Sequence, residues 1–381
     1  MNYDFDRVIE RRGTDSNKWQ KYGDDVIPLW VADMDFVSAE PIRKALHHRI
    51  DHGIFGYTRP TMELRTVIRE RLKKLYQWEI AEEDVVFLPS LVTGLNVAYQ
   101  AFSHAGDGVL VQPPVYFHFV HDPVLHGRLI DDPPLVQKGD RYEIDFDDFE
   151  KAITRRTKVF LFCNPHNPVG RVYTLKELEK VAEICLRHRV ILCSDEIHCD
   201  LLYPGYRHLP IAKIGPEVAG QTVTLMAPSK TFNVPGLGCS FAIISNPSLR
   251  RDFCRAMEGI VPHVNLFGYV AAQAAYEHGG PWLDALLAYL RGNRDLVDRE
   301  IRSLPGLSVA HVEATYLAWI DARGLGLDNP QRFFLDKARV ALNDGEAFGA
   351  GGEGFVRLNF ACPRSTLAEA LERMRKAVEA L

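Results

Sequence analysis

The 381-residue chain has no C-x-x-C pair, no apolar run long enough to span a bilayer, no low-complexity tract and no internal repeat. Each absence removes a class of protein. Its seven cysteines (Cys163, Cys185, Cys193, Cys199, Cys239, Cys254 and Cys362) are odd in number and scattered. That pattern argues against a disulfide framework and against a zinc or other metal site, and leaves the thiols as small core residues. The most apolar stretches, such as VNLFGYVAAQAAY, are too short and too interrupted to cross a membrane. The opening residues MNYDFDRVIERRGTDS mix acids with bases and lack the apolar run of a signal peptide, so a cytoplasmic location is expected. Positive charge is not in excess either. With 45 Lys and Arg against 50 Asp and Glu, the net charge of -5 gives no electrostatic case for nucleic acid. A small-molecule partner is expected, with no nucleic acid and no membrane.

What is present is an ordinary globular composition, 46% hydrophobic and 25% charged, in a chain long enough for two domains. From about residue 84 to 245, short β-rich runs alternate with amphipathic helical patterns, as in a layered α/β domain with a largely parallel sheet. DVVFLPS, GVLVQPP, KVFLFCNP, VILCSDEIH and TVTLMAPSK read as strands, and their unbroken apolarity suits a sheet covered on both faces. Between them TGLNVAYQAFSHA has helical spacing. TLKELEKVAEICLRHR opens with Thr174 and Glu177 in capping-box spacing and lines up Leu178, Val181 and Cys185 on one face. After HGGPW a long helical stretch leads to TYLAWID, ARVALN, GFVRLNFA and a final helix, which suggest a smaller α+β unit. The expected division is a large domain at 45–281 and a small domain formed by 1–44, as an N-terminal arm, with 282–381.

In open α/β sheets, ligands bind in the crevice at the carboxyl ends of the strands, and several strand ends here carry polar residues. Ser90 to Gly94 precede a helix, so the backbone N–H groups and helix dipole can hold a phosphate; a plain turn capped by Ser90 or Thr93 is the alternative. Tyr116 follows a Pro-Pro turn and can lay its ring on a planar ligand or pack on the core. NPHNPVG has two Asn-Pro steps that fix an irregular backbone, either as a turn alone or to aim the Asn167 amide into a cleft. Asp195 ends a wholly apolar strand, where a carboxylate needs a cationic or hydrogen-bonding partner, whether ligand, ion pair or helix cap. Lys230, in LMAPSKTFNVPGLGCSFAII, sits between two apolar runs just past a strand end; taken alone it reads as a solvated loop charge. One ligand uses all of these at once. Pyridoxal 5'-phosphate needs a lysine for a Schiff base, a carboxylate to keep the pyridine nitrogen protonated, and a phosphate cradle. Lys230, Asp195 and the Ser90 turn match those needs, with Tyr116 to stack and Asn167 and His198 near the ring oxygen.

The ordered set NPHNPVG, SDEIH, SK and RLN resembles the fold-type I pyridoxal-phosphate enzymes of the aminotransferase superfamily, nearly from end to end. PLWVADMDF, GIFGYTRP, SDEIHCDL, SKTFNVPGL and GFVRLNFACPRS are similar to the cystathionine β-lyase (MalY/PatB-type) branch of carbon–sulfur lyases. The resemblance implies that Lys230 carries the cofactor and then moves the substrate α-proton, and that Asp195 pairs with the ring nitrogen. It implies that Ser90, Leu91, Val92 and Ser229 hold the phosphate, that Arg357 forks onto the substrate carboxylate beside Asn167, and that Tyr57 reaches in from the other subunit of a homodimer. One position departs from the pattern. Many aminotransferases of this superfamily carry a phosphate-binding arginine eight residues after the lysine, where this chain has Gly238.

The activity so implied is β-elimination from S-substituted L-cysteines, releasing thiol, pyruvate and ammonia. An aminotransferase using the same site is the alternative, and a regulator acting by protein contact is the alternative of another class. A DNA-binding sensor would need an appended helix-turn-helix module, whereas the enzyme-like pattern begins within the first thirty residues.

Overall fold

The computed structural model describes residues 3–381. Seven strands form the main sheet: β1 (Val85–Leu88), β2 (Gly108–Leu110), β3 (Leu129–Asp131), β4 (Thr157–Cys163), β5 (Ile191–Asp195), β6 (Thr222–Met226) and β7 (Ser240–Ile243), in the order β1-β7-β6-β5-β4-β2-β3. The expected mostly parallel sheet is present, with one exception. β7 runs antiparallel to both of its neighbours, β1 and β6, so the two apolar runs flanking Lys230 are adjacent antiparallel strands.

Covering on both faces shows in how alternate residues of one strand enter different cores. Phe160 and Phe162 of β4 join a cluster with Leu178, Val181 and Cys185 of helix Leu175–His188, while Val159, Leu161 and Cys163 join one with Leu91, Leu95 and Ala98. Side chains alternate sides along a strand, so an apolar run buries both faces at once. The helix over the first face begins as its sequence specifies: Thr174 Oγ1 accepts the Glu177 N–H, and the Glu177 carboxylate accepts the Thr174 N–H in return. Six of the seven cysteines are buried; Cys254 is half-exposed and corrects the expectation for that one.

A second sheet has four antiparallel strands, β8 (Ser308–Val309), β9 (Leu317–Asp321), β10 (Asn343–Asp344) and β11 (Phe355–Asn359), in the order β8-β9-β11-β10. Of ARVALN only Asn343 enters it, as the first residue of β10. Val340–Ala341 pairs in parallel with Ile27–Pro28 and so ties the N-terminal arm to the C-terminal region. Helices Gly280–Arg302 and Arg364–Glu379 pack in one core with Leu29, Met34, Phe36 and the inner face of this sheet. Among the described residues no helix is long and apolar enough to cross a membrane.

Candidate active site

The carboxyl ends of β1, β2, β4, β5 and β6 reach one edge of the main sheet, and a cavity of about 330 Å³ opens there against the N-terminal arm and β11. Its lining includes Ser90, Leu91, Val92, Tyr116, Asn167, Asp195, His198, Ser229, Lys230 and Arg357. Ten of the eleven residues named from the sequence therefore meet in one place. Tyr57 does not. It is fully exposed, beside the exposed Ile54 and Phe55.

Ser90 settles its two readings by satisfying both. It is the N-cap of helix Leu91–Phe102, with Oγ accepting the Thr93 N–H at 3.1 Å, and it also faces the cavity. The helix start thus presents its first N–H groups and the positive end of its dipole to an anion. Gly238 lines the same wall at φ +58, and a Cβ there would stand 3.2 Å from the Pro89 carbonyl. A side chain at 238 would be strained in this left-handed conformation, so this wall of the cavity offers N–H and hydroxyl groups rather than a cation.

Asp195 ends β5, buried at 4% exposure, and takes one hydrogen bond, from the Ile197 N–H at 3.0 Å. Among the described residues it forms no ion pair. Burial pushes its carboxyl up to about 7; the Ile197 N–H and Lys230 oppose the rise and Glu196 adds to it. Lys230 stands in the short helix Pro228–Thr231, and its Nζ donates to the Ala32 carbonyl at 2.6 Å. Burial pulls its ammonium down to about 8, helped by Arg357 and opposed by Asp33 and Asp195. His198 is buried and held neutral, its imidazolium pushed down to about 3 by burial and then by Lys230 and Arg357. Its Nδ1 has no partner among the described residues.

Arg357, on β11, donates from Nη1 to Asn167 Oδ1 at 3.0 Å and from Nη2 to the Trp30 carbonyl at 3.0 Å and to Asn343 Oδ1. It has no carboxylate partner among the described residues, its Nε–H is buried without an acceptor, and burial pulls the guanidinium down to about 10. Tyr116 is half-buried; its N–H donates to the Asn167 carbonyl at 3.1 Å, and burial raises its phenol to about 12.

Sequence reasoning missed the groups that brace these side chains. Asn343 meets Arg357 only because β10 and β11 pair in that register. Asn359 Nδ2 holds the Val31 and Asp33 carbonyls, and Asn233 holds Met34 and Phe36, so the arm is fixed across the cavity mouth. Asn233 had one signal available, its position in SKTFNVPGL, where it adopts φ 55. The donor set fits pyridoxal 5'-phosphate: a helix start for the phosphate, a lysine, an unpaired buried carboxylate for a protonated ring nitrogen, and an unpartnered His198 nitrogen in the same cavity.

The comparisons agree with that chemistry. The family model described as aminotransferase class I and II matches residues 24–374. The cystathionine beta-lyase PatB of Bacillus subtilis (strain 168) is 41% identical, covering 98% of this chain and 99% of that protein. A crystal structure of OvoB is similar with TM-score 0.96 and 45% identity, covering 100% of each chain. Cystalysin from Treponema denticola, solved with a pyridoxal 5'-phosphate cofactor, is similar with TM-score 0.96 and 36% identity, again covering 100% of each.

Proposed function

The chain belongs to the aminotransferase class I and II family, and from that premise we propose that it is a pyridoxal-phosphate-dependent carbon–sulfur lyase. It cleaves S-substituted L-cysteines such as cystathionine, with water, to a thiol, pyruvate and ammonia. The observation that carries the reading is the single cavity that gathers Lys230, Asp195, Arg357 and the Ser90 helix start. Likeness to PatB over nearly all of both chains favours elimination over amino transfer.

When bound, pyridoxal phosphate supplies an electron sink for charge developing at the substrate Cα. The chain's own residues do the rest. Asp195 holds the ring nitrogen protonated, and the two opposite charges compensate each other in a site where the carboxylate alone is costly. Ser90, Leu91, Val92 and Ser229 would hold the phosphate, Tyr116 would stack on the ring, and Asn167 and His198 would serve its oxygen. Arg357 would grip the α-carboxylate as a fork. Lys230, with its ammonium pulled down to about 8, has a usable share of free amine near neutral pH and takes the Cα proton at Nζ. Loss of that proton expels the thiolate from Cβ.

The exposed Tyr57, with Ile54 and Phe55 around it, suits a homodimer in which Tyr57 completes the site of the other subunit. Refolding Lys230→Ala with Tyr57→Phe chains together is then expected to restore about a quarter of the sites, since half the dimers are mixed and each has one intact site. No recovery in verified mixed dimers removes Tyr57 from the partner's site. The seven unpaired thiols suit a reducing, cytoplasmic setting.

The deciding experiment incubates the purified protein with L-cystathionine, following pyruvate and thiol release alongside keto-acid-dependent amino transfer. Stoichiometric pyruvate and thiol without a keto acid is the expected result. Turnover only with a keto acid would make the protein an aminotransferase.

A further inference from the structure

Two elements that carry the proposed cofactor contacts are joined by a side chain that lines no part of the cavity. The start of helix Leu91–Phe102 presents the N–H groups for the phosphate, and the segment after β2 presents the Tyr116 ring. Asp122, in helix His118–Leu125, reaches both. One carboxylate oxygen accepts from Asn96 Nδ2 at 2.8 Å, and the same amide donates to the Val92 carbonyl at 2.9 Å in the first helical turn. His118 Nδ1 meets both oxygens, at 2.9 and 3.0 Å. The His118 ring stands edge-on to Tyr116 at 5.1 Å and lies 4.4 Å from Phe117, which faces the cavity. Tyr99 donates its hydroxyl to Asn96 Oδ1, which fixes the amide with its NH₂ toward Asp122.

We propose that Asp122 is a positioning residue that locks the phosphate cradle and the ring-stacking Tyr116 in register, through Asn96 on one side and His118 on the other. The phosphate and the ring of one cofactor are rigidly linked, so their two protein supports must keep a fixed spacing. A carboxylate hydrogen-bonded to both supports sets that spacing before the cofactor arrives. The side chain is only 14% exposed, so water competes weakly for these bonds.

This inference rests on the cavity being a pyridoxal-phosphate site, and the test separates the two. Full-length wild type, Asp122→Ala, Asn96→Ala and His118→Ala are titrated with pyridoxal 5'-phosphate and with phosphate-free pyridoxal. The visible circular dichroism of the bound cofactor and the thermal midpoint of the cofactor-free chain are recorded for each. Asp122→Ala is expected to weaken pyridoxal-phosphate binding about tenfold, the scale of one lost charged hydrogen bond, and to diminish the visible dichroism by more than any fall in the midpoint accounts for. His118→Ala is expected to weaken both ligands, and Asn96→Ala only the phosphate-bearing one. Unchanged affinity and dichroism in Asp122→Ala, or a fall that only tracks a lowered midpoint, overturns the proposal. Should Asp122→Ala fail to fold, the same ligand preferences in the His118 and Asn96 variants support it, and their absence overturns it. A wild-type chain that takes up no pyridoxal phosphate overturns the cofactor reading as well.

Discussion

Asp35 and Asp195 are equally buried, at 4% exposure each, and the protein treats them in opposite ways. Asp35, in the arm, is surrounded by donors: Lys18 Nζ at 2.7 Å, Trp19 Nε1 at 2.8 Å and Arg11 Nη1 at 2.5 Å. Burial pushes its carboxyl up, but Lys18, Trp19 and Arg11 together bring it below the ordinary value. Asp195, at the cavity, has one backbone N–H and no ion-pair partner among the described residues, and burial carries it up to about 7. The cations divide in the same way. Lys18 and Arg11 face carboxylates, whereas Arg357 faces amides, a carbonyl and the Phe348 ring, with no carboxylate partner among the described residues. Charge is compensated internally where it holds the fold, and left without an ion-pair partner at the cavity, where the proposed function puts a protonated ring at Asp195 and a carboxylate at Arg357.

Breaking the compensated side is expected to have the largest effect. Asp35→Asn leaves Lys18 and Arg11 without their shared counter-charge, and removing one partner of a buried pair costs roughly 3–5 kcal/mol. Urea unfolding at neutral pH is the measurement; a change under about 1 kcal/mol would show that the cluster is not compensating charge. Asp195→Asn acts on the other side. It is expected to retain cofactor and lose roughly 10²–10³-fold in kcat with L-cystathionine, the scale seen when one preorganised charge-stabilising group is removed. Near-normal turnover would make Asp195 structural, like Asp35. Arg357→Lys keeps the charge but loses the fork, so the KM for the amino acid is expected to rise about 10–100-fold, as for one or two charged hydrogen bonds. An unchanged KM would remove Arg357 from substrate binding.

Per unit of pH, the smallest effect is a pair of opposite slopes in the stability of the cofactor-free chain. Both carboxyls ionise near pH 3.9 when unfolded. Folded Asp195 keeps its proton up to about 7, so the folded state binds more protons between about 4 and 7. Its contribution to stability is therefore present at low pH and lost as pH rises through that window. Folded Asp35 is ionised below its unfolded value, so its contribution is present above about 4 and lost as pH falls. Relative to wild type, Asp195→Asn is expected to gain stability from about pH 4 to 7, by at most about 1.4 kcal/mol per unit. Asp35→Asn is expected to recover part of its deficit only as pH drops below about 4. Urea titrations across this range read both slopes, and slopes of the same sign would erase the distinction.

The strands and the residues at their ends were legible in the sequence because both are local. An apolar run marks a strand buried on two faces, and a polar residue just after it, such as Asp195 or Asn167, stands where ligands bind. The Thr174 capping box was legible for the same reason. The antiparallel course of β7 was not, because every residue of β6 and β7 is buried and either direction buries the same side chains. Arg357 came from a motif, while its neighbour Asn343 depends on the register of β10 and β11.

By itself the sequence determined which residues could do chemistry here: one lysine, one carboxylate, one forked arginine and a helix start, each beside the strand or motif that places it. Tertiary structure alone decided which charges have partners. Lys18 reaches Asp35 across 17 positions, Asn167 reaches Arg357 across 190, and Lys230 reaches the Ala32 carbonyl across 198. The free energy of a buried charge is set by the donors and acceptors within a few ångströms of it, and contacts across such separations exist only once the chain has closed on itself.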